Sequence, residues 1–204
     1  MSKRRQGLGA IALTALVVLA SLGVDLPVIA ADRPVCAVTF VDSSQLPKDA
    51  GRSKLNDVVT AGLSSNGKLA VLDKEAVAML MIKEAAFAES GLNPHPEAVI
   101  RFAKLAKTRY VVIGRITSVS DREDDKFAFT LLTFEVRADV QAIDGETGTV
   151  IATADGLGSA EAKRFVTADG TMIAGARTFG THYARAAEQA LKNAALALAT
   201  KLTP

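Results

Sequence analysis

The sequence predicts a single α/β domain: a mixed sheet of about five strands with helices packed on it, in the order β-α-β-α-α-β-β-β-α. Three observations carry this. Short apolar, β-branched runs alternate with segments of helical spacing between residues 35 and 106. A strict two-residue alternation follows over residues 132–142. The chain then closes on an alanine-rich stretch with heptad-like spacing. Helix–strand alternation first and an antiparallel meander later fit one mixed sheet.

Val35 to Val41 ("VCAVTFV") is the first strand, and "DSSQLPKDAG" is a loop. From about Ala50 to Ser65, Leu55, Val58, Val59, Gly62 and Leu63 share a helical face, which Asn66-Gly67 ends. Leu69 to Leu72 is a second short strand. Asp73 is placed to cap the next helix by accepting from its free N–H groups. That helix carries Val77, Leu80, Met81 and Phe87. Pro96-Glu97 opens a third helix, with Val99, Phe102, Ala103 and Ala106 inward.

Tyr110 to Thr117 is a strand, and "SVSDREDDK" after it reads as a solvated loop. Then Leu132, Phe134, Val136, Ala138, Val140 and Ala142 alternate with Thr133, Glu135, Arg137, Asp139 and Gln141. The first set faces a core; the second faces water or a partner and is the candidate contact surface. "DGETG" (Asp144, Gly145, Glu146, Thr147, Gly148) raises two readings, a ligand loop or a hairpin turn. It lacks the ligand spacing of a calcium loop, and its glycines suit a turn between strands. "GTVIATADG" is the next strand. Residues 157–176 are rich in glycine and alanine and resist assignment. In the last helix Ala184, Ala187, Leu191, Ala194, Leu198 and Lys201 or Leu202 form a small face. Such a face can lie close against a sheet or against a copy of itself, and its own sheet is the expectation.

Residues 1–31 read as a secretory signal peptide, and 32–204 as the exported domain. Lys3, Arg4 and Arg5 precede an apolar run from Leu8 to Val24, and small residues end at Ala31. The other reading is an uncleaved anchor, which alone would give membrane contact; either way the rest is exported. Removing Lys3, Arg4, Arg5 and Asp25 from 24 basic and 22 acidic residues leaves 21 of each. The positive net charge therefore belongs to the leader, and no nucleic-acid surface is indicated. Cys36 is the single cysteine, so no intrachain disulfide forms. Arg33-Pro34-Val35 before it is not a lipidation signal, and Cys36 reads as a small buried hydrophobe.

Little points to catalysis. His95 and His182 lie far apart, without a ligand at metal spacing. No nucleophile elbow, phosphate loop or dinucleotide fingerprint occurs. Cys36 or the acidic groups could serve an exported enzyme only if the fold gathered them in a pocket. "DREDD" (Asp121 to Asp125) lacks the alternate ligands and glycine of a calcium loop. The expectation is no enzyme, no cofactor and no metal.

"KLAVLDKEAVAMLM", "EAVIRFAKLAKTRYVVIG", the long alternating strand and "AIDGETGTVIATADGLGSA" together resemble the CsgG-like proteins of the bacterial envelope. The resemblance spans roughly residues 35–202. It implies a mixed α/β domain in the periplasm, with unidentified envelope proteins as partners and a homo-oligomer as one form. Relatives assemble curli secretion channels, activate cell-wall synthases (the LpoB-type activators of penicillin-binding proteins) or serve in flagellar rings. Two departures set this chain apart from the channel formers: Cys36 lies outside a lipidation signal, and residues 118–126 are too short for a membrane hairpin.

Overall fold

The structure, a computed structural model, describes residues 34–52, 54–85, 87, 93–126, 129–166, 172–173 and 177–203. The leader expected at residues 1–31 lies outside them. Six strands form one sheet in the order β2-β1-β3-β4-β5-β6. The strands are β1 (Val35–Asp42), β2 (Ala70–Val71), β3 (Tyr110–Asp125), β4 (Phe129–Asp144), β5 (Val150–Val166) and β6 (Met172–Ile173). The helices are α1 (Leu55–Ser64), α2 (Lys74–Lys83), α3 (Pro96–Ala106) and α4 (Arg177–Leu202). β1 pairs in parallel with β2 and β3, and β3 to β6 run antiparallel. The expected α/β class and element order stand, with the two-residue β6 added.

The sheet carries a core on each face. On one, α1 and α4 bury Leu55, Val59, Leu63, Leu191 and Leu198 against Val112, Ile116, Val136 and Val140. On the other, α2 and α3 bury Val77, Val99 and Phe102 against Ala37, Val111, Ile113 and Ile143. Phe87 stacks on Phe102, ring centroids 4.6 Å apart. The six alternate apolar residues of β4 from Leu132 to Ala142 are all buried under α4 and its neighbours. Asp73 caps α2 as expected, accepting from the N–H groups of Glu75 and Ala76.

The alanine face of α4 lies on its own sheet. Its backbone rests on Gly156 and Gly158 of β5, so close that a Cβ at either glycine would sit 2.0 Å from a helix carbonyl oxygen. Gly62 of α1 meets the side chain of Ala195 of α4, where an added Cβ would lie 2.6 Å from its Cβ. Small residues thus set the helix depth on both contacts.

Two expectations are corrected, and part of the stretch that resisted assignment is placed. Residues 118–126 are no loop: β3 continues to Asp125, pairing through Asp125↔Thr130. A register shift between Ile116 and Ser118 breaks the two-residue pattern there. Beyond Asp42↔Arg115 the described residues place no strand on the far side of β3, so its side chains are polar. Residues 157–166 belong to β5, where glycine and alanine hide the alternation because the helix needs the room. α1 begins at Leu55, not near Ala50; Ala50 is held in a turn by its N–H to Pro47 O, 3.0 Å.

Candidate functional site

The helices cover the two sheet faces unequally. α4 spans about 39 Å at about 1.5 Å per residue, enough to follow most of β4 and β5. On the opposite face α2 and α3 cover only the end that holds Val111, Ile113 and Ile143. Past that point, among the described residues, β3, β4 and β5 present an open face. The pairing sets its rows: Asp42, Arg115, Asp139 and Asp155; Ser118, Arg137 and Leu157; Ser120, Glu135 and Ser159; Arg122, Thr133 and Glu161; Asp124, Leu131 and Lys163.

The five polar residues of β4 all point to this face, but they are not equivalent. Glu135 and Arg137 are exposed, and Thr133 and Gln141 are half-buried. Asp139 is buried at 6% exposure. Arg115 donates to it through Nε (3.1 Å) and Nη2 (2.8 Å), and Gln141 Nε2 adds a third donor at 3.4 Å. Hydrogen bonding and charge from Asp139 hold the Arg115 guanidinium above its ordinary pKa. This fork locks β3 to β4 where the helix layer ends, leaving Glu135 and Arg137 as the charges of the set without an ion pair among the described residues.

Sequence reading did not single out Arg115, Asp155, Leu157, Lys163 or Phe165. β5 lacked a visible alternation, and the partner of Asp139 lies 24 residues away. Leu157 and Phe165 are half-exposed apolar residues beside the charged rows. Lys163 Nζ lies over the Phe129 ring, 4.9 Å from its centroid.

The chain reverses between β4 and β5 at Asp144–Gly148. Asp144 Oδ1 accepts from Glu146 N (2.8 Å), Thr147 N (3.0 Å) and Thr147 Oγ1 (3.3 Å). These bonds, led by the one from Thr147 N, hold the Asp144 carboxyl below its ordinary pKa. Gly148 takes φ +69 against Pro96, and Gly145 sits against Ala103 and Thr108 O. Asp144 Oδ1 and Thr147 Oγ1 are thus committed to the turn, and the glycines bring it against α3.

The acidic run of β3 is spent in the same way. Asp121 accepts from Tyr183 Oη at 2.8 Å, and Glu123 pairs with Arg164 at 2.8 Å. Asp124 pairs with Lys126, and Asp125 accepts from Thr130 Oγ1. Alternation along the strand sends neighbouring carboxylates to opposite faces. Among the described residues no group of three acidic, histidine or cysteine side chains could hold a metal ion.

Cys36 and the two histidines do not converge. Cys36 is fully buried within the paired strand, and burial pushes its thiol up to about 12. His95 is exposed at the start of α3. His182 is buried at 9% and stacks on Phe134, with centroids 5.4 Å apart. Its Nδ1 has no hydrogen-bond partner. Burial, aided by the Arg185 charge, holds its pKa below the ordinary value.

No family model matches the chain, and no curated protein matches it significantly. Several crystal structures are similar in fold. Lipoprotein GNA1162 from Neisseria meningitidis is 10% identical with a TM-score of 0.43, over 64% of this chain and 84% of that one. The LpoB C-terminal domain from Salmonella enterica is 14% identical with a TM-score of 0.41, over 61% and 81%. A PelC dodecamer subunit from Paraburkholderia phytofirmans is 12% identical with a TM-score of 0.35, over 82% and 88%. Likenesses of this size assign no function.

Proposed function

We propose that this chain is a non-enzymatic protein of the bacterial cell envelope that works by protein–protein contact. In this reading it is CsgG-like, exported by residues 1–31, and serves protein assembly, secretion or envelope biogenesis as an oligomer. The open sheet face carries the proposal. It offers Glu135 and Arg137 as adjacent free charges of opposite sign on a strand whose other face is fully packed. The burial of Cys36 also supports it, because a fully buried thiol is not available as a nucleophile in the folded domain.

The protein is not itself a pore in this reading. With arms of 16 residues, the β3–β4 hairpin is long enough to span, so the length argument against a membrane hairpin does not stand. Its charges argue against spanning instead: Asp121, Glu123 and Asp125 lie on one face and Arg122 and Asp124 on the other. Neither face could meet lipid.

The test is a photo-reactive residue at position 135 or 137 in the full chain, produced in its own envelope. Protein adducts at these positions, and not at Lys192 on the outer side of α4, are the expected result. Equal or absent capture overturns the reading. The mass of the recovered protein separates cleavage after Ala31 from an uncleaved anchor, the arrangement of a tethered cell-wall synthase activator. Light scattering tests the oligomer, which a monomer at all concentrations would remove.

A further inference from the structure

Resting on the reading of a protein-contact domain, we infer that the outer edge of β5 from Thr153 to Lys163 receives an extended strand from a different protein, with a basic residue opposite Asp155. Among the described residues β5 is the longest strand, with 17 residues, and on its outer side they pair with it at Phe165 and Val166 alone. Residues 153, 155, 157, 159, 161 and 163 share the outward phase of Phe165, so their N–H and C=O groups point away from β4. Side chains of α4 occupy part of this edge. Lys201 Nζ donates to Thr153 O (2.5 Å), Asn193 Nδ2 donates to Leu157 O (2.9 Å), and Gln189 Oε1 accepts from Ser159 N (3.1 Å). These are exposed, single side-chain bonds that an incoming backbone can replace. Among the described residues, the Asp155 and Glu161 peptide groups have no partner on this side.

Charge selects what docks. Asp155 is exposed, lies directly opposite Asp139, and makes no ion pair among the described residues. Asp139 is already neutralised by Arg115, so among the described residues Asp155 ends its row as an uncompensated carboxylate at the sheet edge. A lysine or arginine on the next strand would satisfy it. An acidic residue eight positions away would meet Lys163. On the helix side Ala154, Gly156, Gly158 and Ala160 leave room only for small neighbours beneath α4.

A second copy cannot supply this strand through its own β5. α4 sits directly on β5, at Gly156 and Gly158. Joining two β5 edges would place two such helices about 4.8 Å apart, where packed helices need about 8–10 Å. The occupant is therefore a segment without a helix on that side, added to the sheet edge by main-chain hydrogen bonds.

The probe is the peptide acetyl-Glu-Ala-Val-Ala-Ser-Ala-Val-Ala-Lys-amide, with a control in which Glu and Lys exchange places, added to the full chain. The first peptide should bind saturably and slow hydrogen exchange at the Asp155, Leu157 and Glu161 amides. Reversing both charges in the protein, Asp155→Lys with Lys163→Glu, should move the preference to the control peptide by about five-fold or more. Leu157→Pro removes an outward N–H without touching the β4 ladder, and should weaken binding at least about tenfold with circular dichroism unchanged. No protection on β5, equal binding of both peptides, or unaltered binding to Leu157→Pro overturns the inference. If capture through position 137 persists in that case, only the edge is rejected; loss of that capture rejects the contact-domain reading itself.

Discussion

Adding one methyl group at Gly158 should destabilise this protein on the scale of a large core truncation. The added Cβ would lie 2.0 Å from Ala186 O, 2.6 Å from Ala190 N and 3.0 Å from Ala186 C. These are backbone atoms of a helix and cannot rotate aside. Reaching even the shortest tolerable contact, 3.0 Å, requires α4 to lift by about 1 Å, a gap at which the surrounding contacts lose about a quarter to a half of their dispersion energy. The loss is spread over Ala186, Ala187, Ala190, Leu191, Ala194 and Leu198, all fully buried. We expect a cost of at least about 3 kcal/mol, the upper part of the range for overpacking. Reduced chain entropy offsets only about 0.5–1 kcal/mol. For a domain of this size the net loss of about 2–2.5 kcal/mol lowers Tm by roughly 4–10 °C. Urea and thermal unfolding followed by circular dichroism read the effect. Ala186→Gly should not rescue it, because the obstacle is a carbonyl. Gly62→Ala provides the contrast: its obstacle is the Ala195 side chain at 2.6 Å, so Ala195→Gly should restore most of the loss. Gly51→Ala, with nothing within 4 Å, should be near neutral. A Gly158→Ala protein within about 0.5 kcal/mol of the parent would refute the reasoning and show that α4 yields freely.

Three further outcomes follow from the buried polar groups. Arg115→Ala strips the buried Asp139 carboxylate of its fork and should cost about 2–3 kcal/mol in denaturant unfolding, whereas Arg115→Met with Asp139→Leu should cost less. Burial lowers the pKa of His182 in the folded chain. The unfolded chain therefore takes up the proton first, so this stability is full above the ordinary histidine pKa and is lost as pH falls through and below it. A melting series from pH 7.5 to about 5 should show the decline, and His182→Phe should flatten it. Cys36 should resist a thiol-exchange reagent in buffer and react stoichiometrically in denaturant; rapid labelling of the folded protein would contradict the buried thiol.

The elements a reader can find in the sequence are those with local causes. Asp73 announces α2 because its carboxylate bonds the next helix's own N–H groups. The residues from Leu132 to Ala142 announce β4 because every second one meets α4 or its neighbours. Pro96-Glu97 announces α3 in the same local manner. The candidate surface was only half legible for the converse reason. Alternation shows which face Asp139 occupies, but not that Arg115 encloses it from another strand. Likewise the acidic run 121–125 looked like a loop, since Tyr183, Arg164 and Thr130, which engage three of its carboxylates, come from elsewhere in the chain.

By itself, then, the sequence determined the α/β class, the order of the main elements, the buried stripe of β4 and the burial of Cys36, all set by periodicity and capping within a few residues. The tertiary structure alone decided how far β3 and β5 run, which charges remain free on the open face, and that β5 ends the described sheet over most of its length. Those depend on cross-strand pairing and on helix depth at Gly156 and Gly158, where residues distant in sequence must meet before either has a reason to be there.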